Sequence, residues 1–198
     1  MTLLAPLPRE RTKRIVYIGT PEIAVQPLRA LVAHGFDVCL VITGHDKRRG
    51  RGGATSPNSV KEAAIDLGIP VSHDIADVLK LDPEGLLGVV VAFGSLISTE
   101  ILQHVPMINI HYSALPRWRG AAPVERAILC GDKNTAVCII QVVEQLDAGD
   151  VLASAPCVIN ENDTVAVLRN RLGELALPLL IDICSNGVSV QHPQVGDV

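Results

Sequence analysis

The run Gly88-Val89-Val90-Val91-Ala92-Phe93 carries no polar side chain. A strand that is apolar on both faces is stable only where both faces are covered, so it belongs inside a parallel sheet flanked by helices. The rest of the chain agrees: hydrophobic residues make up 48% but aromatics only 3%, so the core must be built from Val, Ile, Leu and Ala. At 198 residues the chain can bury one such domain and is too short for two of ordinary size. The expected fold is α/β, a three-layer, open, mostly parallel sheet with helices on both faces.

Taken in order, Ile15 to Ile18 is a first buried strand ending at Gly19-Thr20-Pro21, Glu22 to His34 a helix closed by Gly35, and Val38 to Thr43 a second strand. This β-α-β opening lacks the G-x-G-x-x-G spacing of a dinucleotide site. Residues 44–57 combine basic side chains with glycines and are expected to form a solvated loop, neither helix nor strand. Ser59 to Leu67 predicts a helix, Val71 to His73 a short strand and Ile75 to Leu81 a helical turn. After the central strand, Ser98 has the position of an N-cap. Met107 to His111 is the next strand, Val124 to Leu129 a helix, and Thr135 to Val143 and Val151 to Val158 are neighbouring strands. Asn160-Glu161-Asn162-Asp163 is expected to cap a final helix reaching Cys184, with Asn186-Gly187 as its end and an extended piece after it.

The stretch from Ile108 to Pro123 concentrates the chemistry. Side chains alternate along a strand, so Asn109 and His111 share one surface while Ile108 and Ile110 face the core. Pro116, Gly120 and Pro123 give the following loop a set shape around Arg117, Trp118 and Arg119. Ligands of open α/β sheets bind at the carboxyl ends of strands, where this loop must lie. An Asn-x-His pair alone is more often a satisfied polar pair than a catalyst. Trp118 can be a hydrophobic anchor for the loop or a base-stacking platform.

The motifs Asn109-x-His111, Ser113-Ala114-Leu115-Pro116-Arg117-Trp118-Arg119-Gly120-Ala121-Ala122-Pro123 and Leu146-Asp147-Ala148-Gly149-Asp150 together resemble the folate-dependent formyltransferases. The Asn-x-His with a later Asp is common to that superfamily, including its glycinamide ribonucleotide and sugar-nucleotide enzymes. The Arg-Trp-Arg-Gly-Ala-Ala-Pro run is similar to the branch acting on methionyl-tRNA. The resemblance implies a Rossmann-like formyltransferase fold and transfer of a formyl group from 10-formyltetrahydrofolate to the amine of initiator methionyl-tRNA. It implies that Asn109, His111 and Asp147 are catalytic. Folate would be held by Phe93, Gly94, Ser95, Leu96, Ile97, Ser113, Ala114, Leu115, Pro116, Leu146, Ala148, Gly149 and Asp150, the last also readable as a turn residue. Lys47, Arg48, Arg49, Arg51, Arg117 and Arg119 would meet tRNA phosphates. Departures from the family pattern are Tyr112 and Gln145 where glycine is usual, and Ala114 where leucine is usual. The alternatives are a formyltransferase for a small amine such as an amino-sugar nucleotide, and an idle module that binds tRNA or folate.

By the same resemblance residues 1–13 are a flexible N-terminal extension, 14–187 the formyltransferase catalytic domain and 188–198 the start of an interdomain linker, with the family's C-terminal barrel domain absent. The net charge of −4 repels nucleic acid on average, so RNA contact needs local basic clusters. Five cysteines without C-x-x-C spacing read as reduced, mostly buried thiols of a cytoplasmic protein. No apolar run spans a bilayer. His34, His45, His73, His104 and His192 lack ligand spacing, so no metal is expected. A monomer is expected.

Overall fold

The computed structural model describes residues 3–48 and 55–196. The main sheet has seven strands: β1 (Arg14–Gly19), β2 (Asp37–Ile42), β5 (Val71–Ser72), β6 (Leu86–Val91), β7 (Met107–His111), β8 (Asn134–Gln141) and β9 (Val151–Val158). They lie side by side in the order β5-β2-β1-β6-β7-β8-β9. The pairs from β5 through β7 are parallel, and β8 and β9 run antiparallel at one side. The helices are α1 (Val25–Ala33), α2 (Ser59–Asp66), α3 (Thr99–His104), α4 (Pro123–Leu129) and α5 (Val165–Asn186), with 3-10 turns at Glu22–Ala24 and Ile75–Lys80. The α/β class read from the sequence is the one observed.

Alternation along the central strands divides the core in two. Ile15 and Tyr17 of β1, Leu87, Val89 and Val91 of β6, and Ile108 and Ile110 of β7 pack on one side with Leu28 and Leu31 of α1 and Val60 of α2. α5 supplies Leu168, Leu172, Ala176, Leu180 and Cys184 to that side, a repeat of four that keeps one stripe of the helix inward. Val16, Ile18, Leu86, Val90 and Met107 face the other way, against Ile101 and Leu102 of α3 and Val78 of the second 3-10 turn. Asn109 and His111 share the face of Met107, where among the described residues the sheet is covered by one short helix, one 3-10 turn and part of the N-terminal segment. The carboxyl ends of β6 and β7 are therefore left open on that face.

Three expectations are corrected. Residues 44–57 are not loop throughout: β3 (Lys47–Arg48) and β4 (Thr55–Ser56) pair antiparallel as a small ribbon, because two extended ends brought together satisfy their own backbone groups. The final helix is capped by Thr164, whose side chain accepts from the Val167 N–H at 3.3 Å, rather than by residues 160–163. Asp163 instead accepts from the Asn160 N–H at 2.8 Å and pairs with Arg171 through two bonds of 2.8 Å each. The described part of the N-terminal segment is packed rather than a loose extension. Leu7 is buried, the Ala5 N–H donates to the Leu102 carbonyl, and the Thr12 N–H donates to that of Cys184. The extended piece after α5 runs back to the sheet: Val188 is buried, and His192 and Val151 exchange backbone bonds of 2.8 and 2.9 Å.

The five cysteines are free thiols, with Cys138, Cys157 and Cys184 buried. No helix among the described residues is long and apolar enough to cross a membrane.

Candidate active site

At the open ends of β6 and β7 lies a cavity of about 640 Å³, within the range of roughly 300–1,000 Å³ usual for small-molecule sites. Its walls come from Val90, Ala92 to Ile97, Asn109 to Tyr112, Gly120 to Pro123, Ile140 to Glu144, Leu146 and Asp147. Leu96 and Leu146 stand exposed at its rim, and Thr99 Oγ1 donates to Glu144 Oε1 at 2.8 Å, tying the start of α3 to the loop after β8.

Asn109, His111 and Asp147 meet in its wall. Asn109 Nδ2 donates to Asp147 Oδ1 at 3.2 Å, and His111 Nδ1 stands 3.4 Å from Asp147 Oδ2. The same Oδ2 accepts the Gly120 N–H at 2.9 Å. His111 Nε2 lies 3.0 Å from the Trp118 carbonyl. A carbonyl oxygen can only accept, so Nε2 carries a proton and the neutral ring leaves Nδ1 bare toward the carboxylate. Burial pushes the imidazole below its ordinary value, the nearby Asp147 carboxylate and the Trp118 carbonyl pull it part of the way back, and Arg126 adds to the lowering. The neutral ring is thus flanked by two acceptors that would both be satisfied once it took up a proton.

Ala92, Trp118, Ala122 and Asp147 are the non-glycine residues with positive φ among those described, at 49°, 65°, 54° and 50°. Each such residue costs on the order of 1–3 kcal/mol, and such strain gathers at functional sites. Here all four belong to the loops around the cavity. The Asp147 turn is held against β8: a Cβ on Gly149 would stand 1.9 Å from the Gln141 carbonyl oxygen. Gly149→Ala is therefore expected to destabilise the fold by about 1–3 kcal/mol through overpacking, read as a lower urea midpoint. An unchanged midpoint would show that the turn gives way freely.

Of the residues expected to hold folate, Phe93, Gly94, Ser95, Leu96, Ile97 and Leu146 line the cavity, but Ser113, Ala114, Leu115, Pro116, Ala148, Gly149 and Asp150 do not. Ser113 is fully buried and donates to the Arg117 carbonyl at 2.7 Å, and Leu115 packs on Ala136, Cys138 and Ile140. Ala148 and Asp150 close the turn through backbone bonds to Gln145 and Gln141. The lining from Ile140 to Val143 is invisible to sequence reasoning, because it depends on β8 pairing beside β7 and no spacing in the chain announces that partner.

Trp118 acts as an anchor: its indole N–H donates to Asp132 Oδ2 at 2.7 Å, with Arg117 and Arg126 4.0 and 5.0 Å from the ring centre. Arg117 grips Asp132 with bonds of 3.0 and 2.9 Å, and Arg119 donates to Gln194 at 2.8 Å. Lys47 and Arg48 supply the backbone of β3. Their side chains, and Arg49 and Arg51 entirely, lie outside the described residues. Among the described residues no group of His, Cys, Asp and Glu could hold a metal.

An open sheet whose strand-end cavity joins an amide, an imidazole and a carboxylate has the groups to polarise a carbonyl oxygen and move a proton. Residues 13–183 match the family described as Formyl transferase, and the chain belongs to that family. Over 181 residues it is 44% identical to the methionyl-tRNA formyltransferase of Methylococcus capsulatus, with 86% of this chain aligned. The chain spans 58% of that relative's length. Among solved structures, an N-formyltransferase from Helicobacter canadensis in complex with folinic acid and dTDP-3-aminofucose superposes with a TM-score of 0.75 at 20% identity, covering 93% of this chain and 68% of that one. Glycinamide ribonucleotide transformylase 1 from Symbiobacterium toebii gives 0.72 at 20% identity, covering 94% and 95%. At those identities the two structures speak for the fold.

Proposed function

We propose that this chain is the catalytic region of a cytoplasmic, monomeric enzyme that transfers the formyl group of 10-formyltetrahydrofolate to the amine of initiator methionyl-tRNA. The observation that carries the reading is the meeting of Asn109, His111 and Asp147 in the cavity wall, in a formyl transferase whose relative at 44% identity is a methionyl-tRNA formyltransferase. The cavity suits the donor. Val90, Phe93, Ile97 and Val142 offer apolar surface to a flat heterocycle, while Asn109, His111 and Asp147 stand together in the wall.

An amine attacking a formyl carbon leaves negative charge on the oxygen and positive charge on the nitrogen. Asn109 has two amide N–H groups, and the one not given to Asp147 is available to the oxygen. The His111–Asp147 pair takes the proton from the nitrogen. Uptake turns the 3.4 Å separation into an N–H···O bond and leaves the imidazolium held at both ends. Returning that proton to the nitrogen of the departing carrier releases tetrahydrofolate and the formamide, with no bond formed to the protein.

The test is a formylation assay on the chain as it stands, with 10-formyltetrahydrofolate and charged initiator tRNA. Formylmethionyl-tRNA supports the reading. Turnover of an amino-sugar nucleotide in its place would overturn the assigned acceptor, and tRNA binding without transfer would overturn the enzyme. Replacing Lys47, Arg48, Arg49 and Arg51 by alanine is expected to weaken tRNA binding. The slope of log K against log salt should flatten by roughly 0.7–0.9 for each phosphate that no longer meets a cation. An unchanged slope would remove residues 47–51 from the interface.

A further inference from the structure

We propose that Gln194, in the segment that follows α5, is a positioning residue for the Asp147 carboxylate, a proposal that rests on the role given to Asp147 above. Its side-chain Nε2 donates to the carbonyls of Asp147 and Gly149, both at 2.8 Å. Its Oε1 accepts from Arg119 Nε at 2.8 Å. One amide therefore clasps two loops: the turn that carries the carboxylate, and the loop whose Gly120 N–H meets that carboxylate at 2.9 Å.

The clasp answers a need of the turn. Asp147 sits at φ 50°, in the left-handed region, where the surrounding contacts must offset the backbone cost. On one side the turn rests on β8, where Gly149 packs on the Gln141 carbonyl and the Gln141 N–H donates to the carbonyl of Asp150. On the other side the two carbonyls that flank Ala148 receive the N–H groups of Gln194. The segment reaches this place because His192 and Val151 exchange backbone bonds just before it. Without the amide, two carbonyls lose their donors and Arg119 loses its tether, so the carboxylate is free to drift from His111 and Asn109.

Two variants separate the halves of the clasp. Gln194→Ala removes every bond. Gln194→Glu keeps an acceptor for Arg119 but turns an anionic oxygen toward the two carbonyls. Both are expected to lower kcat in the formylation assay by roughly 10- to 100-fold, as a small misplacement of a catalytic group does, while KM for the formyl donor changes little. Hydrogen exchange gives a reading independent of activity. The Gly120 amide, which Gln194 does not touch, should exchange at least about tenfold faster in both variants as its carboxylate partner loosens. The proposal is overturned if Gln194→Glu keeps wild-type kcat. It is equally overturned if only the His192 and Val151 amides exchange faster while Gly120 is unchanged, since Gln194 would then merely tack down its own segment. If the wild-type chain transfers no formyl group but Gly120 still responds, the function proposed above fails and the clasp stands.

Discussion

His111→Ala is expected to lower turnover about 10²- to 10⁴-fold, the range that goes with a general acid–base group. The ring is 5% exposed, held through Nε2 by the Trp118 carbonyl, with Nδ1 facing the Asp147 carboxylate at 3.4 Å. Among the described residues no other imidazole lines the cavity to replace it. Burial leads the forces that lower its pKa, so in the proposed mechanism the proton acceptor is the neutral ring. Activity should therefore fall on the acid side as the ring charges, and that limb should lie below the titration of a free imidazole. Steady-state kinetics against pH, beside circular dichroism to confirm the fold, make the measurement. Turnover within a few fold of wild type, or an acid limb at or above the free imidazole value, would remove His111 from the proton path.

Asp147→Asn is expected to lower turnover by about 10²-fold although it changes almost no volume. The carboxylate accepts from Asn109 and from the Gly120 N–H and faces His111 Nδ1. An amide can accept on only one of its two atoms, so at least one of these partners is left unmatched in either orientation. The negative charge disappears as well. Since the carboxylate acts to raise the His111 pKa, its removal should move the acid limb of the pH profile to still lower pH. Combining the substitution with His111→Ala should cost little more than His111→Ala alone, because groups that act as one unit are not additive. A double variant whose deficit equals the product of the single deficits would mean that the two side chains work independently.

The fold is legible in the sequence because it follows from local signals. The apolar run around Val89 to Val91, the glycines after the first helices and the alternation in β7 each constrain a short piece of backbone, and together they demand covered parallel strands. Asn109 and His111 can be put on one surface for the same reason: a period of two is a property of the strand itself. Asp147 is reached by motif alone, since no periodicity relates Asn109 to a residue 38 positions away.

The places where sequence and structure part share a cause as well. The resemblance puts Ser113 through Pro116 in the pocket wall, yet Ser113 turns into the core and Leu115 packs on β8. The resemblance makes the N-terminal segment a flexible extension, but Leu7 and the Thr12 N–H find partners in the core and in α5. The cap of the last helix falls one residue later, at Thr164, because Asp163 is already taken by Arg171.

What the chain determined by itself is therefore the layered sheet and the face shared by an amide and an imidazole. Those depend on backbone periodicity and side-chain type, which are local. What only the tertiary structure decided is which groups touch. The hydrogen bonds from β8, from the turn at Asp147 and from Gln194 join segments far apart in sequence. Such pairings depend on how whole elements dock, so no window of residues contains them.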